Sequence, residues 1–345
     1  MKRHYAVKRI LDQYPELKYE HVVRRLQTQT YVSLPRRYMY FTVSKAANTT
    51  MKHILHAVEN LPPVKLFVGR WDWDTRRDMS IHSRENMPMP SLLDLDDSVQ
   101  KEILESPDFF RMSVVRNPYT RLVSAWRNRV QLCEPEYAYL YLQIRGRLPD
   151  PGRKSLISFE EFVDYIAANQ DLSTCDLHWR RQVDHIFVKA LNYSHIGKTE
   201  KLGETLQRFQ QHLGRSEPFP RNSHNASGFE TVVTLTESLA DMIYSLYRPD
   251  FEAFGYDRNS WLAQQERTDP SQNHGNVPEE VFNDEIVERN IMLYHLYKER
   301  DYLRNRTVFG MARLLYRRFQ KVLSVPLRNV EKTAFKWSYN RRSAQ

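Results

Sequence analysis

Glycine is scarce in this chain, 10 in 345 residues, and cysteine is nearly absent, with only Cys133 and Cys175. So few glycines leave no Gly-rich phosphate loop of the G-x-x-x-x-G-K-[ST] kind, so any phosphate-binding turn must be built from other residues. Two cysteines in no paired motif allow at most one disulfide and no thiolate zinc site, which points to a reducing compartment. No stretch approaches the roughly 20 consecutive apolar residues that cross a bilayer. The opening "MKRHYAVKRILDQYPELKYEHVVRRL" mixes charge with apolar residues and lacks the apolar core of a signal peptide. A cytoplasmic location is therefore expected. Internal repeats and low-complexity tracts are also missing.

What is present is enough for a sizeable core: 41% hydrophobic and 12% aromatic residues in a length that suits one large α/β domain or two modest ones. The net charge of +9 is uneven. From Leu303 to Gln345 there are eleven Lys or Arg and one acid, Glu331, a net +10 that leaves residues 1–302 near −1. The basic character belongs to the tail, so the high pI gives no reason to expect a nucleic-acid groove in the body.

Residues 1–33 read as helix, interrupted near Pro15. "RYMYFTVS" (37–44) is aromatic and β-branched and reads as a buried strand. It leads through "KAANTT" into a helix over about 49–59. The segment 69–90 has no clean period and reads as a long ordered loop, a kind that is often functional. A helix over 97–105 precedes a second strand, 109–115, and a helix that begins at Pro118. Ser158 with Glu161, and Thr234 with Glu237, suit capping boxes. "SHIGKTEKL" (194–202) reads as a third strand passing into a helix. This alternation predicts a parallel sheet covered by helices on both faces. After Tyr256 a polar linker leads to helical segments at 279–305 and 307–323. Val308, Met311, Leu315, Phe319 and Val322 form one apolar stripe on the second.

Two segments carry chemistry. In the first, Ser44, Lys45, Ala46, Ala47, Asn48, Thr49 and Thr50 join a strand to a helix. Small residues there would let the backbone N–H groups approach an anion at the helix N-terminus, Thr49 and Thr50 add hydroxyls, and Lys45 can reach a bridging oxygen. Taken alone, the segment is equally a plain strand-to-helix connection with an exposed lysine. In the second, Arg116 ends an apolar strand just before a helix that carries Arg121 and Ser124 on one face, and guanidinium matches phosphate geometry. A surface arginine pair beside a helix serine is the ordinary alternative.

Together, "SKAANTT" (44–50) and "RNPYTRLVS" (116–124) resemble the paired binding elements of the sulfotransferase family 2 group of carbohydrate sulfotransferases, which includes chondroitin, heparan 2-O and related bacterial enzymes. The group's patterns are roughly Pro-Lys-x-x-x-Thr and Arg-[Asn/Asp]-Pro-[Tyr/Phe]-x-Arg-Leu-x-Ser. The resemblance continues through "HWRRQ" (178–182), "IGKTEKL" (196–202) and "YRPDFEAFGY" (247–256), so it spans about 37–257. Ser44 stands where the group usually has proline, which stiffens the loop entry without touching the ligand.

The resemblance implies an α/β, P-loop-like three-layer domain at 34–258, between the helical segment 1–33 and a linker with a basic helical extension at 259–345. It implies 3'-phosphoadenosine-5'-phosphosulfate as co-substrate and no metal. Lys45, Ala46, Ala47, Asn48, Thr49 and Thr50 would hold the phosphosulfate, and Arg116 and Ser124 the 3'-phosphate, with Lys198 also near the nucleotide. The acceptor would be a carbohydrate or glycolipid. Lacking the N-terminal membrane anchor of animal Golgi members, the chain resembles a cytoplasmic, bacterial-type member. Apart from the resemblance, the tail's charge and apolar stripe suit an anionic membrane surface or an acidic acceptor, or equally a stripe packed on the body with its charges solvated; no nucleic-acid partner is expected.

Sulfuryl transfer, like phosphoryl transfer, needs a cation at the leaving oxygen and a base for the acceptor hydroxyl. Lys45 suits the first role. His82 suits the second, since family members place a histidine between the two elements, and activity would then rise with pH through about 6.5. Glu85, Asp72 and Asp74 are the alternatives in that loop. His178 and Trp179 could line the acceptor cleft or simply pack. Lys198 and Glu200 could touch the nucleotide or tie strand to helix. His53 and His56 have helical spacing but no third ligand, which favours plain helix surface over a metal pair. A nucleotide kinase would need magnesium-binding carboxylates after a strand, where this chain has Arg116.

Overall fold

Where helix is expected throughout 1–33, the described residues 4–33 form two helices and a strand. Helix α1 (Tyr5–Gln13) and helix α2 (Tyr19–Gln29) flank the break near Pro15, and strand β1 (Thr30–Ser33) follows directly. Four residues are too few to separate a helical from an alternating period, and "TYVS", with its β-branched and aromatic residues, favours the strand. The structure is a computed structural model that describes residues 4–65, 80–131, 133, 135–147, 157–219, 233, 235–265 and 289–299.

Strand β1 turns through Arg37, at φ 50°, into β2 (Tyr38–Phe41), its antiparallel partner. β2 then pairs in parallel with β3 (Phe110–Val115), and β3 in parallel with β4 (His195–Lys198), giving the order β1-β2-β3-β4. The sheet is therefore mixed: the three expected strands run parallel, and β1 adds an antiparallel edge.

Alternation of side chains along these strands explains the layers. Val32, Met39, Phe41 and Val115 point to one face, where they join Ala6, Val7 and Ile10 of α1, Val22 and Leu26 of α2, and Ile103 and Leu104 of α4 (Asp97–Glu105); helix α3 (Asn48–Val58) comes before α4 in the chain. Tyr31, Tyr38, Tyr40, Met112 and Val114 point to the other face, against Met51, Ile54 and Leu55 of α3 and residues 206 and 209 of a later helix. Both faces of β2 are buried, which is why its sequence is apolar and aromatic without alternation.

Among the described residues, the unit's further α-helices are α5 (Pro118–Ala125), α6 (Ala138–Arg145), α7 (Phe159–Asn169), α8 (Gln182–His185), α9 (Leu202–His212), α10 (Glu237–Phe254) and α11 (Leu262–Gln265). The Ser158–Glu161 capping box forms on α7. On α10 the cap is Thr236, whose side chain accepts from Leu239 N, rather than the expected Thr234. The chain divides into units 1–287 and 288–345. In the second unit residues 289–299 are helical; the rest of the expected helices at 279–305 and 307–323, with the basic tail, lies outside the described residues. Among the described residues no helix is long and apolar enough to cross a membrane. Cys133 and Cys175 are both free, and burial pushes each thiol up to about 12.

One glycine sets the packing of β4 on α9. A Cβ at Gly197 would stand 1.9 Å from Thr205 Oγ1 and 2.9 Å from both Thr205 Cβ and Cγ2. Gly197→Ala is expected to cost about 1–3 kcal/mol, as overpacking of a buried contact does, read as a fall in urea midpoint. Adding Thr205→Ala should recover part of that loss; a Gly197→Ala chain with wild-type stability would contradict the contact.

Candidate active site

The carboxyl ends of β2, β3 and β4 open on one side of the sheet, where open α/β sheets accept ligands. There β2 turns into α3 through residues 42–47. Lys45 and Ala47 both take left-handed backbone angles, φ 67° and 52°. Each costs on the order of 1 kcal/mol for a residue with a side chain, and such strain gathers at functional sites. The loop thus makes its tight turn without glycine. Ala46 is fully buried, and its N–H donates to Val43 O at 3.3 Å. Helix α3 begins without a side-chain cap, so its positive end and first-turn N–H groups face the loop.

Arg116, at the end of β3, lies against this loop: its Nη1 donates to Lys45 O at 3.3 Å and its Nε to Thr120 Oγ1 at 3.0 Å. Gln182, fully buried, holds the Arg116 backbone by accepting from its N–H at 2.9 Å and donating to its carbonyl at 2.8 Å. Asp250 in turn accepts from the N–H groups of Gln182 and Val183 at 2.8 and 2.9 Å. The segments "HWRRQ" and "YRPDFEAFGY" therefore serve to fix Arg116.

Arg121 faces inward. It is 2% exposed and donates to Ser44 O at 3.0 Å, Arg180 O at 2.7 Å and Leu177 O at 2.9 Å. Three carbonyls take up the guanidinium, which pins the loop entry. Ser124 is half-buried on α5, with no hydrogen bond from its hydroxyl among the described residues.

Lys198, at the end of β4, donates to Gly255 O at 3.0 Å and lies 4.4 Å from the centre of the Tyr256 ring. It ties the strand to the carboxyl end of α10, the second of its two expected roles. Glu200 accepts from Asn117 N at 2.9 Å and Tyr256 OH at 3.0 Å.

His82 reaches the same place from the loop before β3. Arg84 anchors this stretch by donating to Gln27 O at 2.6 Å, Thr30 O at 2.9 Å and Met89 O at 3.1 Å. Asn86 adds bonds to Lys65 N and O and to Ser80 O. The imidazole then lies on α3, with Nε2 3.0 Å from Thr49 Oγ1 and Nδ1 3.2 Å from Lys52 Nζ. Burial, then the charges of Lys52 and Arg129 and the rings of His178 and His53, hold His82 well below its usual 6.5. The neutral imidazole is thereby favoured, so the surroundings work against an activity rise set by an unperturbed His82. Glu85 is exposed, and Asp72 and Asp74 lie outside the described residues.

After α5 the chain continues as a π-helical segment, Trp126–Gln131, a feature common at functional sites. It brings Asn128 to accept from Lys45 Nζ, and Arg129 Nη2 to His178 Nε2 at 3.1 Å. His178 Nδ1 meets Asp176 Oδ1 at 2.7 Å and Tyr137 OH at 2.9 Å. Burial and then Arg129 bring its pKa down to about 3, against the pull of Asp176. A guanidinium can only donate, so neutral His178 accepts at Nε2 and gives its Nδ1 proton to the Asp176 carboxylate. Trp179 packs edge-on against Phe162 and Tyr137 and is 1% exposed, so it belongs to the core rather than to a cleft wall. His56 bonds to Pro62 O at 2.8 Å, and among the described residues no three His, Cys, Asp or Glu are grouped to hold a metal.

Lys52, Asn128, Arg129 and Gln182 were not singled out in the sequence. Lys52 had a signal: it lies three residues after Thr49, on the same face of a helix. Asn128 and Arg129 had none, because the π-helical turn shifts the face that α5 would otherwise continue.

The site and the sheet define a P-loop-like α/β domain in which a strand-to-helix loop gathers Lys45 and Arg116. Residues 29–257 match the sulfotransferase family, and the chain belongs to that family. It is 25% identical over 255 residues to Carbohydrate sulfotransferase 9 of Homo sapiens, covering 68% of this chain and 54% of that protein. It is 29% identical over 163 residues to Carbohydrate sulfotransferase 12 of Xenopus laevis, covering 41% of this chain and 39% of that protein. Against Carbohydrate sulfotransferase 12 of Mus musculus it is 28% identical over 162 residues, with the same coverage. The chain thus spans about half the length of these relatives or less. No solved structure matches it.

The residues fit an anionic nucleotide as substrate. The uncapped start of α3, Lys45 and Arg116 converge on one loop, and Asn48 Oδ1 is buried there without a hydrogen-bond partner among the described residues. A buried acceptor with no partner in the protein can take a donor from a ligand, such as a sugar hydroxyl or a base amine, while the cations and N–H groups face its anionic groups.

Proposed function

We propose that this chain transfers a sulfuryl group from 3'-phosphoadenosine-5'-phosphosulfate to a hydroxyl of a carbohydrate. The observation that carries the reading is the gathering of Lys45, Arg116 and His82 around the uncapped start of α3. In this reading the N–H groups of residues 46–50 and the Thr49 and Thr50 hydroxyls hold the 5'-phosphosulfate, while Arg116 and Ser124 hold the 3'-phosphate. His82 takes the proton as the acceptor O–H bond breaks and a new O–S bond forms. The bridging S–O bond breaks at the same time, and Lys45 faces the charge left on the phosphate oxygen. The names of the relatives support a carbohydrate acceptor; a glycolipid presents the same hydroxyls.

The test is a screen of glycans and glycolipids with the donor labelled in its sulfate. Label should pass to a sugar hydroxyl. Label that stays on the donor while the γ-phosphate of ATP is transferred instead would replace this reading with a kinase.

In the same proposal the reaction is cytoplasmic, and residues 303–345 hold the protein at an anionic membrane. The basis is their net +10 and the apolar stripe from Val308 to Val322. Each basic residue at such a surface contributes about 1 kcal/mol, screened by salt. The full chain should sediment with phosphatidylserine vesicles at low salt and be released at high salt. Equal partition of the full chain and a truncation after Tyr302 would overturn the assignment.

A further inference from the structure

Lys52 is an unusual lysine. It is 5% exposed, in the middle of α3, and among the described residues no carboxylate pairs with it. Its Nζ lies 3.2 Å from His82 Nδ1 and 5.0 Å from the centroid of the Tyr31 ring, and it also hydrogen-bonds to the Tyr31 side chain. A second cation, Arg84, has its guanidinium 4.1 Å from the centroid of the same ring. A buried ammonium without a counter-ion is costly, and such lysines tend to lose their proton. Thr49, Lys52 and His82 therefore form a short chain across α3, with the imidazole in the middle.

We propose that Lys52 is the positioning residue that sets which nitrogen of His82 carries the proton. The inference rests on the reading of His82 as the base for sulfuryl transfer. With neutral Lys52, Nδ1–H donates to Nζ, and Nε2 turns an open lone pair toward Thr49 and the phosphate loop. With Lys52 as ammonium, Nζ donates to Nδ1, the ring proton moves to Nε2, and that nitrogen can no longer accept. In the productive state the acceptor O–H gives its proton to Nε2 while Nδ1–H stays donated to Nζ. The imidazolium that forms later returns its proton to solvent.

Burial lowers the Lys52 pKa from its usual 10.5. The groups around it act in defined directions: Arg84 also lowers it, and Tyr31, on β1, raises it. Lys52, Arg129, His178 and His53 all disfavour a charged His82. Turnover should therefore rise with pH as Lys52 loses its proton, because above its pKa the bare Nε2 dominates. The acid limb reports Lys52, not His82.

The first measurement is the ¹⁵N shift of the two His82 nitrogens in the full-length wild-type protein across this limb. The expected result is a ring protonated at Nδ1 on the active side and at Nε2 on the acid side. A ring protonated at Nε2 throughout the active range overturns the proposal, and this readout needs no variant to fold. The second measurement compares two variants, with binding of adenosine 3',5'-bisphosphate as a control that both should retain. Lys52→Arg, always a donor, should lock Nε2–H and lower turnover by at least about 100-fold. Lys52→Gln, whose amide oxygen can accept Nδ1–H, should keep turnover within about tenfold of wild type and flatten the acid limb. Equal turnover and equal pH profiles in the two variants would refute the role. Should the wild-type chain transfer no sulfate, the base reading falls, while the ring-nitrogen shifts still decide whether Lys52 sets the tautomer.

Discussion

His82→Ala is expected to lower turnover by roughly 10²- to 10⁴-fold, the span for loss of a general base, with little change in affinity for adenosine 3',5'-bisphosphate. The ring lies on α3 through Thr49 Oγ1 and Lys52 Nζ, and the loop around it is anchored elsewhere, by Arg84 and Asn86. Its removal should leave Lys45, Arg116 and the start of α3 in place. A base must be neutral to act, and burial with four nearby basic groups favours the neutral imidazole of His82. Wild-type activity should accordingly show no acid limb set by His82 near 6.5. Single-turnover transfer from saturating labelled donor separates chemistry from binding. Near-normal turnover of the alanine variant on the acceptor found by screening would remove His82 from the reaction and pass the role to Glu85.

The elements that frame the site were legible because each has a strong local signature. "RYMYFTVS" is buried on both faces and reads as a strand; Pro118 marks the start of α5; Ser158 with Glu161 marks α7. The strand β1 was not, since four residues after a helix carry too little pattern to show the change of period. The functions of single residues divided in the same way. Lys45, Arg116 and His82 sit in segments whose order along the chain already suggests a shared site. Arg121 was placed only on the helix face it shares with Ser124, since no sequence pattern tells that a guanidinium faces inward onto three carbonyls. Lys198 likewise finds its partner, Gly255, 57 residues away. The left-handed angles at Lys45 and Ala47 were also hidden, because sequence readers look for glycine at such turns.

Adenosine 3',5'-bisphosphate is expected to raise the melting temperature far more than ATP does, and Arg116→Ala should erase that difference without unfolding the protein. A ligand present at 100 times its dissociation constant stabilises by about 2.7 kcal/mol, and ATP lacks the 3'-phosphate that Arg116 and Ser124 are proposed to hold. The Arg116 backbone is fixed independently of its side chain, through Gln182 and Asp250, so truncation removes the guanidinium and leaves β3 and α5 in place. It also removes the bond from Nη1 to Lys45 O, so the phosphate loop itself should loosen slightly. Lys45→Ala makes the useful contrast. Its ammonium meets Asn128 and would stabilise the leaving oxygen, so its loss should lower turnover by about 10²- to 10³-fold, as loss of one preorganised charge contact does, and weaken nucleotide binding as well. The Arg116 variant should instead lose mainly the preference for the 3'-phosphate. Thermal shifts of wild type and both variants with the two nucleotides, read beside single-turnover rates, separate these effects. Equal stabilisation of the wild-type protein by ATP and by adenosine 3',5'-bisphosphate would mean that Arg116 reads no 3'-phosphate, and the assignment of that end of the site would fail.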